Sequence, residues 1–171
     1  GLTNACQFFV RPQKRALFSQ EQIIGMLLEP TPIWIREIDK EVNRGVCFTG
    51  HAHITGGGMP GNIPRILPSD CKVVIDRATW ERPPVFRYVQ WAGQIADDEM
   101  DRVFNQGIMV VSIVDSSGKQ PKNPEMRKIG EVVARKKGEA QAVLNRLKQL
   151  SAQLNVLAYP KALVYAGLGQ K

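Results

Sequence analysis

His51-Ala-His-Ile-Thr-Gly-Gly-Gly-Met-Pro-Gly-Asn-Ile-Pro-Arg65 is the stretch on which the reading of this chain turns. Ahead of it, Val46–Ile54 carries the β-prone Val46, Phe48, His53 and Ile54 behind Gly45, and predicts a short strand. The three glycines 56–58 leave the backbone free to turn at positive φ and let an anion approach its amides. Asn62 or Gly61 can cap a helix beginning at Ile63-Pro64, where the missing proline N–H costs nothing. Strand, loop and helix N-terminus together predict an oxyanion or phosphate cradle built from Thr55, Gly56, Gly57, Gly58 and Asn62. A tight structural turn fits the same residues. A P-loop is excluded, because no Gly-Lys-Ser/Thr follows.

Outward from the loop, Ser19-Gln-Glu-Gln22 is a capping box opening a helix with Ile23, Ile24, Met26, Leu27 and Leu28 as its apolar face. Glu29-Pro-Thr-Pro32 ends it. The apolar positions of Ile33–Asn43 fit strand or helix, with Glu37, Lys40, Glu41 and Arg44 spaced as an exposed charged face. Beyond the loop come a strand at Cys71–Asp76 and a helix at Pro83–Ala92 stopped by Gly93. Asp97-Asp-Glu99 opens the next helix, and Ile108–Val114 is apolar enough to be a central buried strand. Asp115–Glu125 reads as an exposed loop, Lys128–Ala134 as a strand and Ala162–Ala166 as a last short one.

Across Gly138–Leu157, Val143, Leu147, Leu150, Leu154 and Leu157 recur at spacings of 4, 3, 4 and 3, with Arg146 and Lys148 off the seam. This predicts an amphipathic helix that either folds back on the body or docks on a protein partner. The chain is organised as a body over 1–134 and a basic extension over 135–171. Residues 1–118 carry 12 Lys/Arg against 13 Asp/Glu, and residues 119–171 carry 11 against 3, so the net +7 belongs to the second part. Such asymmetry suits an acidic protein surface or a nucleic acid, although no aromatic interleaving in the tail offers bases a stacking platform.

At 171 residues, with 43% hydrophobic and 23% charged, the composition is that of one globular domain. No apolar run approaches a membrane span, and Cys6, Cys47 and Cys71 lack zinc spacing, which points to reduced thiols inside a cell, in cytosol, plastid or mitochondrion. Gly1 in place of Met suggests a processed or partial chain. His51 and His53 share one strand face, but no carboxylate or cysteine cluster joins them, so no metal is expected.

The blocks Leu27-Leu-Glu-Pro-Thr31, Ala52-His-Ile-Thr-Gly-Gly-Gly58, Asn62-Ile-Pro-Arg-Ile-Leu-Pro68, Val74-Ile-Asp76, Pro84-Val-Phe86 and Arg102-Val-Phe-Asn105 stand in one order. In this the chain resembles the C-terminal domain of the aminoimidazole ribonucleotide synthetase family, the phosphoribosylformylglycinamidine cyclo-ligases of purine synthesis. The resemblance implies an α/β (α+β) fold, a mixed sheet flanked by helices, and helix for Ile33–Asn43. It also implies ATP and Mg²⁺, supplied by an N-terminal half that these residues do not match.

Three departures mark the likeness. Thr3 stands where the family carries a His regarded as catalytic, leaving His53 as the nearby imidazole. Phe104-Asn-Gln-Gly-Ile-Met109 lacks one small residue of the family's second glycine loop, and a helix before Ile129-Gly-Glu131 is missing. These favour a repurposed, non-catalytic structural or accessory subunit with no cofactor of its own. The alternative is the C-terminal half of a split cyclo-ligase, and nucleic-acid binding through the tail is a third reading.

Overall fold

The computed structural model describes residues 18–145 and the strand 162–168. Helix α1 (Gln20–Leu28) opens with the predicted capping box: Ser19 Oγ accepts from Gln22 N, and Gln22 Oε1 accepts from Ser19 N. Helix α2 (Ile35–Asn43) follows, then β1 (Phe48–His53), α3 (Gly58–Asn62), a 3₁₀ turn (Ile63–Ile66) and β2 (Cys71–Asp76). A second 3₁₀ turn (Arg77–Thr79), α4 (Pro84–Gly93) and α5 (Asp97–Val103) lead to β3 (Ile108–Asp115). The sheet is completed by β4 (Met126–Ala134), β5 (Ala142–Asn145) and β6 (Ala162–Leu168).

The six strands lie in the order β1-β3-β6-β4-β2-β5, all neighbours antiparallel except the parallel pair β2/β5. This is the mixed sheet with flanking helices that the resemblance implied. Alternation along β1 sends Ala52 inward while His51 and His53 stay exposed. One core forms where Ala52, Ile54, Val73, Ile75, Val111 and Ile129 meet Met59 of α3 and Ile63. Full burial of side chains such as Ile54, Met59 and Ile63 is worth about 1.5–3 kcal/mol each. A second cluster joins Trp34 and Val46 to Val114 and Met126, with Ile38 of α2 against it. As expected, 116–125 is turn and loop, with no helix between β3 and β4.

Several expectations are corrected. The helix after the glycines starts at Gly58, because Gly58 N donates to Thr55 O (3.0 Å) and Gly61 N to Gly57 O (2.9 Å), closing a turn within the loop itself. The helix expected at Ile63-Pro64 is the 3₁₀ turn that follows, with proline in its first turn and Asn62 at its N-cap position, but the Asn62 side chain makes no capping bond there. Glu41 is 2% exposed; its carboxylate accepts from Lys122 N (3.2 Å), Asn123 N (2.9 Å) and Arg44 Nη1 (3.3 Å), so it ties α2 to the loop instead of facing water. Of the apolar face predicted for α1, Ile23 alone is buried. The left-handed stop of α4 falls on Gln94 (φ 50°), one residue past Gly93.

Val143 does not begin a helical seam. It pairs with Val74 in β5, while Ala142 and Leu144 pack on the core, so the period there is two and the open edge of β2 takes the segment as a strand. Arg146, Leu147, Lys148, Leu150, Leu154 and Leu157 lie outside the described residues. Strands β5 and β6 join one sheet with strands of the 1–134 body.

Candidate functional site

Where β1 ends, the chain runs into Thr55 and the glycines, and Asn62 holds the turn from inside. Its buried Nδ2 donates to Gly58 O (2.8 Å) and more weakly to Gly56 O (3.3 Å) and Thr55 O (3.4 Å). A side chain that short reaches all three carbonyls only because the loop folds tightly round it, with Gly57 at φ 98° and Gly58 at φ 57°. The glycines have different reasons to be there. A Cβ on Gly58 would lie 1.8 Å from Asp101 O, so the third glycine lets α3 close onto α5. A Cβ on Gly56 would meet nothing within 4 Å. Among the described residues the amides of Gly56 and Gly57 donate to no protein acceptor. Thr55, Gly56, Gly57, Gly58 and Asn62 thus share one tight turn; the five-residue α3 contributes little dipole, so an anion there would depend on the amides of Gly56 and Gly57.

Neither histidine hydrogen-bonds to that loop among the described residues. His51 Nδ1 lies 2.9 Å from Ser112 Oγ, and burial holds the imidazole below its ordinary pKa, so it is neutral near pH 7. His53 is exposed, on the strand face opposite Ala52 and Ile54, away from the core on which α3 packs. Thr3 lies outside the described residues. Among the described residues no group of three or more His, Cys, Asp or Glu is arranged to hold a metal ion, and Cys47 and Cys71 are free thiols.

Sequence reasoning missed a polar network at the second glycine turn. Gln106 is fully buried at φ 52°, followed by Gly107 at φ 94°. Its Oε1 accepts from Arg77 Nη2 (3.1 Å), its amide nitrogen donates to Asp101, and its carbonyl accepts from Trp80 Nε1 (3.2 Å). Arg77 also pairs with Asp101 and stacks over the Trp80 ring at 5.8 Å. No sequence signal singled it out, since Gln106 stands at a variable position of the Phe-Asn-x-Gly motif. Beside it a cleft of about 600 Å³ is lined by Arg77, Arg82, Arg87, Gln90 and Asp97. Burial first, then the Arg77 charge, lowers the Arg82 pKa. These cations are already answered: Arg77 by Asp101, Arg82 by Gln90 and Asp97, Arg87 by Glu81.

With this geometry in hand, residues 20–143 match the family described as AIR synthase related protein, C-terminal domain. The chain belongs to this family. It is 36% identical over 141 residues to a phosphoribosylformylglycinamidine cyclo-ligase of Cupriavidus necator, covering 78% of this chain and 40% of that protein. The cyclo-ligase of Nitrosospira multiformis is 44% identical over 97 residues (57% of this chain, 27% of that protein), and that of Geotalea daltonii 50% over 94 (54% and 27%). The chain spans at most about 40% of the length of these relatives. Since they carry an enzyme's name, they favour the half-enzyme reading of this AIR synthase-related domain over a non-catalytic structural subunit. No helix among the described residues is long and apolar enough to cross a membrane.

Proposed function

We propose that this chain is the C-terminal half of a phosphoribosylformylglycinamidine cyclo-ligase, active in ring closure only with an N-terminal, ATP-binding half. The observation that carries this is the 36% identity to a cyclo-ligase across 78% of the chain, a span in which the Asn62-anchored glycine loop keeps open amides. Ring closure of this kind requires a nucleotide clamp, acidic metal ligands and close placement of the reacting groups. This reading assigns nucleotide and metal to the N-terminal half. It gives Gly56 and Gly57 the role of receiving an anionic group of the ribonucleotide, with Asn62 keeping their amides turned outward and Gly58 seating the loop on α5.

The test is reconstitution. The chain alone is expected to give no ATP hydrolysis and no ring closure of formylglycinamidine ribonucleotide. Mixed with the part of the C. necator relative that it does not cover, it is expected to give both. Turnover by the isolated chain above a heat-killed control, or none in the mixture, would sink the proposal.

A further inference from the structure

We propose that the arginine-lined cleft between the turn after β2 and helices α4 and α5 binds a phosphate dianion, free or as the monoester of a small metabolite. Among the described residues none of the glycine loop lines this cleft, and the inference does not depend on the function proposed above. Arg77 comes from the turn after β2, and Arg82 stands just ahead of the prolines that open α4. Arg87 and Gln90, three residues apart, share one face of α4, and Asp97 opens α5. The wall thus holds three guanidinium groups and one carboxylate among the described residues.

The partners of these cations answer them unequally. Arg77, 10% exposed, is neutralised by Asp101 and bonded to Gln106. Arg87 and Glu81 are 59% and 81% exposed, so their pair contributes little and is readily exchanged for another anion. The weak answer is at Arg82. Its side chain is only 14% exposed, yet its close partner is the neutral amide oxygen of Gln90. The nearest carboxylate oxygen, Asp97 Oδ1, stands 3.5 Å away and already accepts from Gln90 Nε2 at 2.7 Å. A guanidinium carries five N–H donors, and among the described residues those of Arg82 meet no further acceptor. A half-answered buried cation is costly unless an anion completes its bonds. Burial and the neighbouring Arg77 charge, which lower the Arg82 pKa, are both offset by negative charge in the cleft.

The group is also aimed. Gln90 donates to Ile95 O (3.2 Å) and to Asp97 while its Oε1 receives Arg82, so the guanidinium plane is fixed before a ligand arrives. A fixed fork matches two oxygens of a tetrahedral phosphate, and Arg87 on α4 supplies a second cation for the second charge.

The experiment is calorimetric titration of the full chain, at low salt, with inorganic phosphate and separately with ribose 5-phosphate. Saturable binding of phosphate is expected. Tighter binding of the sugar phosphate assigns the occupant to a monoester, and equal or weaker binding assigns it to the free ion. Arg82→Lys keeps the charge but loses the fork, and should weaken binding about tenfold. Arg87→Gln should weaken it about threefold, and Asp97→Asn, which removes the carboxylate from the wall, should tighten it by about as much. Arg102→Gln removes an exposed charge from α5 outside the cleft and should change nothing. Should Arg82→Lys fail to fold, the other two cleft variants decide. No saturable binding by the parent chain, or an equal loss in Arg102→Gln, overturns the site. Binding lost in Gly56→Ala but intact in the cleft variants places the anion at the glycine loop, which overturns this inference and supports the function proposed above.

Discussion

The two glycine turns at the ends of β1 and β3 solve opposite problems. At Gly56–Gly58 the chain keeps backbone bare: among the described residues two amides donate to no acceptor, and the side chain of Asn62 bonds to the loop's carbonyls. At Gln106–Gly107 the space is filled. A buried glutamine in the left-handed region is held by Arg77, Asp101 and Trp80. The first turn is the one to which the proposed function gives a ligand, and the second serves as the pin that locks α5 to the turn after β2. They meet through α5, whose Asp101 gives its carboxylate to the pin and its carbonyl to the close contact with Gly58. The comparison shows how a site can keep one open loop while another is closed by side chains.

The largest effect should come from the place where the two turns touch. Gly58→Ala sets a Cβ against Asp101 O and forces alanine into φ 57°. Strain and overpacking together are expected to cost about 3–4 kcal/mol in urea unfolding. A loss under about 1 kcal/mol would mean that the loop is not seated on α5.

Next is Gln106→Ala, which strips the pin and leaves the Arg77–Asp101 pair without its third member. About 2 kcal/mol is expected from unmade buried hydrogen bonds. Gln106→Gly should recover part of that by relieving the positive φ. If glycine is no better than alanine, the backbone at this turn is not strained.

Gly56→Ala separates the turns most cleanly. Its Cβ meets nothing within 4 Å, so stability should move by no more than about 0.5 kcal/mol. Under the function proposed here, ribonucleotide affinity measured by calorimetry with the reconstituted pair should fall about tenfold. An unaltered affinity would return the loop to a purely structural role.

The smallest effect lies off both turns, at His51. Its folded pKa sits below the ordinary imidazole value of about 6.5. A group depressed in the folded state binds more protons when unfolded, so its contribution to stability is present above that pH and is lost as pH falls through it. Half exposure makes the effect modest. Urea midpoints measured between pH 7.5 and 5 should decline slightly more for the parent than for His51→Gln; parallel curves would remove His51 from the pH response.

Much of this was legible in the residue order. The capping box at Ser19, the glycine run after a strand and the apolar stretch at Ile108–Val114 are local signals, because each depends on neighbours within a few residues. The block pattern carried the family. What misled was any pattern whose partner is distant in sequence. Glu41 shows helical salt-bridge spacing, yet backbone amides more than eighty residues away claim its carboxylate. Val143 fits a heptad, yet the free edge of β2 offers hydrogen bonds that a surface seam does not. Gln106 is an ordinary polar residue until Arg77, Asp101 and Trp80 surround it. By itself, then, the sequence determined the glycine loop and most element types of the body, since these follow from short-range backbone freedom and side-chain periodicity, while the kinship with cyclo-ligases came from the ordered blocks of matching residues. Only the tertiary structure decided which glycine faces open space, which polar groups are buried and which apolar face is left uncovered. Those outcomes depend on long-range contacts that residue order alone does not specify.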